Sequence, residues 1–349
     1  MTSALSEKFP GTEVLHVTFG GAKRATGTKI RLLLEYNDAG HRHRLPPTMW
    51  FKGGYEPHTE NVRTSHARES LFYSEIEPLK LVNSPACYYA SISDSGDFGV
   101  QLIEDLLQRN AWFGDARNPV PLATVRDGLK QLARLHAHWW KSPELDRLGP
   151  VGGSLATDGI VLKIMGKRDW GNDGSGDDVP AWERAMEKDY SRDVPEALRH
   201  YEAAVAGMER LWELDRQSNN LCMVHGDAHP GNLFFEQDGT PGFLDWQRLM
   251  QSDWGHDVAY FVIGCMDMDE SARHEESLLR GYLEELESQG VRDLDWDQAW
   301  LSYRRHAMYG LVWNTVPPVM QPPEVCELEA LRFNAAVKRL ETHDALFND

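Results

Sequence analysis

Asp227 and Asn232 stand five residues apart in the run Val224-His225-Gly226-Asp227-Ala228-His229-Pro230-Gly231-Asn232-Leu233, and Asp245 follows thirteen residues later in Phe243-Leu244-Asp245-Trp246. Apolar β-formers precede both loops. Asp238-Gly239 and Pro241-Gly242 supply a turn between them, so the three polar residues are expected to converge at the ends of a hairpin. That set suits phosphoryl transfer. One Asp can accept the proton of an attacking hydroxyl, while an Asn and a second Asp hold the metal ions that bridge the phosphates. The metal expected is Mg²⁺, which takes oxygen ligands and keeps several waters. A second reading uses the same stretch: His225, Asp227 and His229 form an H-x-D-x-H string that could ligate the metal of a hydrolase. Such a site needs further His or carboxylate ligands. His256 and Asp257 are available, but at no recognised zinc spacing.

The elements that must position these residues change character along the chain. Val14 to Phe19, Lys29 to Tyr36 and Thr48 to Lys52 read as strands, with Gly20-Gly21, Asn37 to Gly40 and Gly53-Gly54 as turns. A helix is expected from Ser65 to Ile76, stopped by Pro78. Two more strands follow, Ala86 to Ile92 and Phe98 to Ile103. Beyond Asp105 the pattern is helical: Val125 to Trp140, Trp182 to Leu214, Ser271 to Ser288, Trp296 to Trp313 and Glu324 to Phe347. Leu221 to Gln247 interrupts them as a strand–loop–strand segment. The reading is a β-rich N-terminal lobe, residues 1–104, followed by a larger, mainly helical lobe, residues 105–349.

The chain has 349 residues and a net charge of −18. That acidity argues against nucleic acid and against anionic membranes as partners, because both need clustered Lys and Arg. It suits a cationic acceptor or a metal–nucleotide complex, and equally simple solubility. The four cysteines form no C-x-x-C pair, so reduced thiols are expected, and the N-terminal residues have no apolar leader. A cytoplasmic location follows by default. Trp139, Trp140, Trp296, Trp300 and Trp313 read mostly as core, with some available to an acceptor pocket. The acidic loop Asp173 to Asp178 reads as a solvated turn, or alternatively as a lid.

HGD-x4-N followed by a strand-borne Asp-Trp resembles the signature of the aminoglycoside phosphotransferase and choline kinase superfamily, small-molecule relatives of the protein kinases. The resemblance implies an α+β, bilobal protein-kinase-like fold. It implies an ATP- and Mg²⁺-dependent enzyme that phosphorylates a hydroxyl of a small-molecule acceptor. By resemblance Asp227 is the catalytic base, Asn232 and Asp245 are metal ligands, and His225 orients the loop. Lys52, at the end of its strand, corresponds to the phosphate-binding lysine. Glu69, in Arg68-Glu69-Ser70-Leu71-Phe72-Tyr73, corresponds to its helix-borne partner. Glu75 is a rival partner, but the E-x-x-F-Y wording, similar to ecdysteroid-kinase-like proteins, favours Glu69. Glu104, Asp105 and Leu106 resemble the hinge whose backbone meets the adenine edge. Asp257 resembles a residue that caps a helix or bonds to the catalytic loop.

The resemblance runs from about residue 14 to about residue 265, with one departure. Phe19 to Gly27 is not a G-x-G-x-x-G loop, although the backbone at Gly20 and Gly21 is still expected to cover the phosphates. No G-x4-G-K-[ST] motif occurs, which disfavours a P-loop enzyme. A pseudokinase that binds without turnover is the remaining rival. The tryptophans favour a bulky, partly apolar alcohol as acceptor, and the acidity favours a cationic one.

Overall fold

Strands β1 (Val14–Arg24), β2 (Thr28–Tyr36), β3 (Thr48–Gly53), β4 (Cys87–Ile92) and β5 (Gly99–Glu104) form one antiparallel sheet in the order β1-β2-β3-β5-β4. The computed structural model describes residues 1–24, 27–55, 63–157, 159–167, 179–315 and 321–348, without the side chains at 63 and 160. The acidic loop 173–178 lies outside the described residues. The chain divides into two units, Met1–Trp112 with Phe234–Leu249, and Phe113–Leu233 with Met250–Asp349. The fold class is α+β.

Directly paired residues on neighbouring strands point to the same side of a sheet. Register therefore sorts the first unit's sheet into two unlike faces. Leu32 pairs with Met49, and Phe51 with Leu102. This face packs with Leu5, Leu34, Tyr36 and Leu45 into an apolar core, closed by the helix Thr2–Lys8. On the opposite face Lys23 pairs with Lys29, Lys29 with Lys52, and Arg31 with Trp50. A chain with a net charge of −18 thus lines up four cations on one sheet face.

The expected turn at Gly20-Gly21 is not present. β1 runs on to Arg24, and the pairing register slips between Phe19 and Gly21, where Gly21 has φ +125°. The two glycines accommodate a bulge, which keeps the strand paired. The helix expected over 65–76 is α-helical only over Arg63–Leu71, then widens over Phe72–Ile76 and tightens over Glu77–Leu79. Pro78 cannot continue the hydrogen-bond ladder.

In the second unit a short ladder, Leu221–Val224 with Met250–Asp253, adjoins the helix Gly255–Cys265. Every residue of that helix is buried. The helices Leu122–His138, Trp296–Thr315 and Pro323–Arg339 pack around it. Close approach sets the composition here: a Cβ on Gly128 would fall 2.4 Å from the Phe261 ring.

The segment 182–214 is broken into Ala181–Met186, two single turns and Tyr201–Gln217, with Pro195 interrupting. The C-terminal segment breaks at Glu341, which has φ +48°. The tryptophan reading is corrected. Of the five expected in the core only Trp139 is buried, and among the described residues the fully buried ones are Trp182, Trp246 and Trp254. Trp296 and Trp300, four apart on one helix, instead stack on each other, with the Arg280 guanidinium 3.6 Å over Trp296. All four cysteines are free and buried. Among the described residues no helix is long and apolar enough to cross a membrane.

Candidate active site

In the first unit Lys52 is buried to 2% exposure, and its Nζ lies 2.7 Å from Glu69 Oε1 and 3.0 Å from Asp245 Oδ1. A buried ion pair is tolerated only when its remaining polar atoms are satisfied. Here Gln101 Nε2 donates to Glu69 Oε2 at 2.7 Å, and Ser70 Oγ donates to Gln101 Oε1 at 2.9 Å. Glu69, not the exposed Glu75, carries the contact. Lys29, across the strand pair from Lys52, donates to Asp245 Oδ2 at 3.3 Å.

Asp245 reaches this cluster because the next residue is anchored. The Trp246 ring stacks on Phe72, centroids 3.7 Å apart and nearly parallel, one turn beyond Glu69. Asp245 itself sits in the left-handed region, φ 60°, a conformation that Asp tolerates better than most residues. Burial would push its carboxyl up, but the Lys52 and Lys29 ammonium groups outweigh burial and hold it well below the usual carboxylate range. Burial would likewise lower the Lys52 ammonium, yet Asp245 and Glu69 raise it. Lys52 is therefore a cation and Asp245 an anion at neutral pH.

The loop carrying Asp227 belongs to the second unit. Gly226 has φ +81°, a conformation open to glycine at no steric cost, and the turn it makes exposes Asp227 beyond the strand Leu221–Val224. Asp257 holds the turn. Its Oδ2 accepts the His225 N–H at 2.7 Å and its Oδ1 accepts the Gly226 N–H at 2.8 Å. His136 Nε2 donates to Asp257 Oδ2 at 3.2 Å, which leaves Nδ1 to accept from the Tyr282 hydroxyl at 2.7 Å. Burial works against the Asp257 charge, but the His136 hydrogen bond holds its carboxyl low. His256 Nε2 donates to the Gly226 carbonyl at 3.2 Å, and His225 Nδ1 accepts the Asp227 N–H at 3.2 Å.

Asn232 Nδ2 donates to Asp227 at both the carbonyl, 2.9 Å, and Oδ2, 3.1 Å. That orients the Asp227 carboxylate and leaves the Asn232 amide oxygen outside this contact. Asp227 Oδ1 is buried without a hydrogen-bond partner among the described residues. Taken singly, the Asp245 carboxylate in the first unit and the Asn232 amide oxygen in the second are each the kind of oxygen ligand that Mg²⁺ takes alongside phosphates and waters. The H-x-D-x-H string is not a metal centre. His225 Nδ1 and His229 Nδ1 each accept a backbone N–H of their own loop. Among the described residues no group of three or more His, Cys, Asp or Glu could hold a metal.

Of the remaining candidates, Glu104, Asp105 and Leu106 leave the end of β5 with their groups engaged. Glu104 N–H donates to Ala86, Glu104 Oε2 accepts Ala86 N–H, and the carbonyls of Asp105 and Leu106 accept from Gln108 and Ala111. The Asp105 side chain is fully buried and accepts from Arg31, Thr48 and Trp50. Gly20 and Gly21 lie in β1 at its bulge. Sequence reasoning missed Lys29, Gln101, His136 and Tyr282. For His136 a signal existed, since it falls on the buried face of an otherwise apolar stripe.

His306 sits behind this loop. A Cβ on Gly255 would fall 2.5 Å from its Nδ1. Its Nδ1 faces the Ser302 carbonyl at 2.8 Å and its Nε2 faces Asp215 Oδ1 at 3.1 Å. Two acceptors require two N–H groups, so the ring is an imidazolium. Burial opposes the charge, but Asp215 outweighs it, and the pKa is raised from 6.5 to about 9. Because the folded value exceeds the unfolded one, the stabilisation is fully present below pH 6.5 and is lost as pH rises through about 9. The shift corresponds to about 3 kcal/mol. Urea midpoints should fall between pH 6.5 and 9.5 in the wild type and fall less in His306→Gln. Equal slopes would count against the imidazolium.

The sequence profile of the Phosphotransferase enzyme family matches residues 67–299, two thirds of the chain, and the chain belongs to that family. A homoserine kinase of Brucella anthropi is 25% identical over 170 residues, covering 48% of this chain and 48% of that protein. The chain thus spans about half the length of the curated relative it matches. Among solved structures, choline kinase LicA of Streptococcus pneumoniae matches over 98% of this chain and 97% of that one, with a TM-score of 0.50 and 13% identity. A LicA complex with AMP matches over the same shares, with a TM-score of 0.50 and 14% identity. The fold is that of the protein-kinase-like small-molecule kinases.

Proposed function

We propose that the protein transfers the γ-phosphoryl group of ATP to a hydroxyl of a small molecule. The observation that carries this reading is the buried Lys52 held between Glu69 and Asp245 on the cationic sheet face. Residues 1–104 serve as the nucleotide-binding lobe and residues 105–349 as the catalytic and acceptor-binding lobe. Lys52, fixed by Glu69, neutralises phosphate charge. Asp227 orients the acceptor hydroxyl and takes its proton, its carboxylate held in place by Asn232. Asn232 and Asp245 hold Mg²⁺, which when bound offsets the charge developing on the phosphates. Most of the rate then comes from positioning and fixed charges. Glu104, Asp105 and Leu106 border the base, and Gly20 and Gly21 the phosphates.

The acceptor we favour is a small alcohol that carries an ammonium group. The acidity of the chain supports this. Choline, a cation, and homoserine, a zwitterion named by the homoserine kinase relative, are the first acceptors to try. The free thiols of all four cysteines support a cytoplasmic setting.

A thermal-shift titration tests the reading, with ATP and Mg²⁺ added singly and together. A ligand at 100 times its Kd stabilises the native state by about 2.7 kcal/mol. The wild type should shift with both ligands together, and Asp245→Ala should lose most of that shift. No shift in the wild type at millimolar ATP and Mg²⁺ would reject the nucleotide site. A shift without product, across a panel of alcohols, would leave a binding module.

A further inference from the structure

β1 is the outermost strand of its sheet, so among the described residues one of its edges meets no other strand. Edge strands are usually guarded by charged side chains, proline or a bulge. Here bulges fall after Val14 and after Phe19, and Lys23 and Arg24 guard the far end. The stretch Val14 to Phe19 itself carries no Asp, Glu, Lys, Arg or Pro. It presents Leu15, Val17 and Phe19, which are 62%, 43% and 67% exposed.

The backbone of this stretch also faces outward. Val17 pairs with Leu34 on β2, but the Leu34 N–H donates to the Pro47 carbonyl at 2.8 Å, on the side away from β1. Opposite residues of an antiparallel pair exchange both hydrogen bonds or neither. Val17 and Leu34 therefore exchange none, and the N–H and C=O of Val17 point to the open edge. Phe19, two residues on, points the same way. Its side chain pairs with Leu32, and Leu32 with Met49, so a row of apolar residues runs from the core out to this edge.

We propose that β1 pairs antiparallel with β1 of a second copy of this chain, about a two-fold axis at Val17. This register sets Val17 against the partner's Val17 and Phe19 against the partner's Leu15. Moving the axis by one residue would put Phe19 opposite Glu13, or Leu15 opposite Gly21. No like charges meet across the seam. Glu13 falls opposite the partner's Gly21, with the partner's Lys23 as its diagonal neighbour, within reach of a long side chain. The patch is thus self-complementary, as a two-fold interface must be. The contact is small, so the dimer is a weak and reversible one.

Sedimentation velocity from about 1 to about 200 µM chain tests this, in about 0.15 M salt to screen the net charge. The wild type should pass from monomer to dimer with a Kd on the order of 10 µM. Val17→Lys sets two ammonium groups face to face on the axis. It should raise the Kd by at least about tenfold and leave the melting temperature of the dilute monomer unchanged. Val17→Cys should yield a disulfide-linked dimer on mild oxidation, because such paired residues hold their Cα atoms about 5.5 Å apart, inside the span of a disulfide. The native cysteines are buried, and the oxidised wild type serves as the control. A wild type that stays monomeric at about 200 µM would overturn the proposal and leave the edge to a strand of another protein. So would a Val17→Lys chain that dimerises as tightly as the wild type. A dimer in which Val17→Cys fails to cross-link would overturn the register. If Val17→Lys does not fold, the cross-link still decides.

Discussion

Asp227→Asn should lower turnover by about 10²- to 10⁴-fold, the usual contribution of a positioned general base. The change is isosteric, and Asn232 can still donate to the remaining oxygen, so the loop should keep its shape. What disappears is the proposed proton acceptor, most directly the buried Oδ1, which has no hydrogen-bond partner among the described residues. Asp227 is not among the residues proposed to hold the phosphates or Mg²⁺. The stabilisation by ATP with Mg²⁺ should therefore survive almost intact. ADP release in the presence of an accepted alcohol, set beside the thermal shift, separates the two effects. A folded variant that loses turnover and nucleotide stabilisation together would remove Asp227 from the role of base.

Asp257→Ala should destabilise the protein by about 3–5 kcal/mol, the range for stripping a partner from a buried charged network. The carboxylate is fully buried and receives the His225 N–H, the Gly226 N–H and His136 Nε2. Truncation strands all three donors where water cannot reach, each at about 1–3 kcal/mol. Hydrophobic gain cannot compensate, because the void is lined by polar groups. For a chain of this size the melting temperature should fall by roughly 5 °C. Asp257→Asn, which keeps one accepting oxygen, should fall about half as far. A loss under about 1 kcal/mol for the alanine variant would mean that the loop finds other partners.

The strands were legible because alternation is local. Ile30, Leu32 and Leu34 against Lys29 and Arg31 is a period of two that only a sheet can use. The loop residues Asp227 and Asn232 were legible because their spacing is short. Other features depend on distance. His136 meets Asp257 across 121 residues and Tyr282 across 146, and no local pattern links them. A trace was present in His256-Asp257, two polar residues inside an otherwise apolar, wholly buried helix. The misread turn at Gly20-Gly21 has a similar origin. Two glycines signal backbone freedom, and a bulge uses that freedom as well as a turn does. Lys29 read as one more strand residue, and only register places it beside Lys52.

The contact of Asp245 with both lysines changes how the cationic face can respond to an incoming polyanion. Lys29 and Lys52 pair directly across two strands, and without a counter-ion between them they would repel. Asp245 is a resident anion, delivered to the face by the stacking of Trp246 on Phe72. The repulsion is thus overcome once, as the chain folds, and not again at each encounter with a ligand. The two ammonium groups are held at fixed positions, with little orientational freedom left to lose.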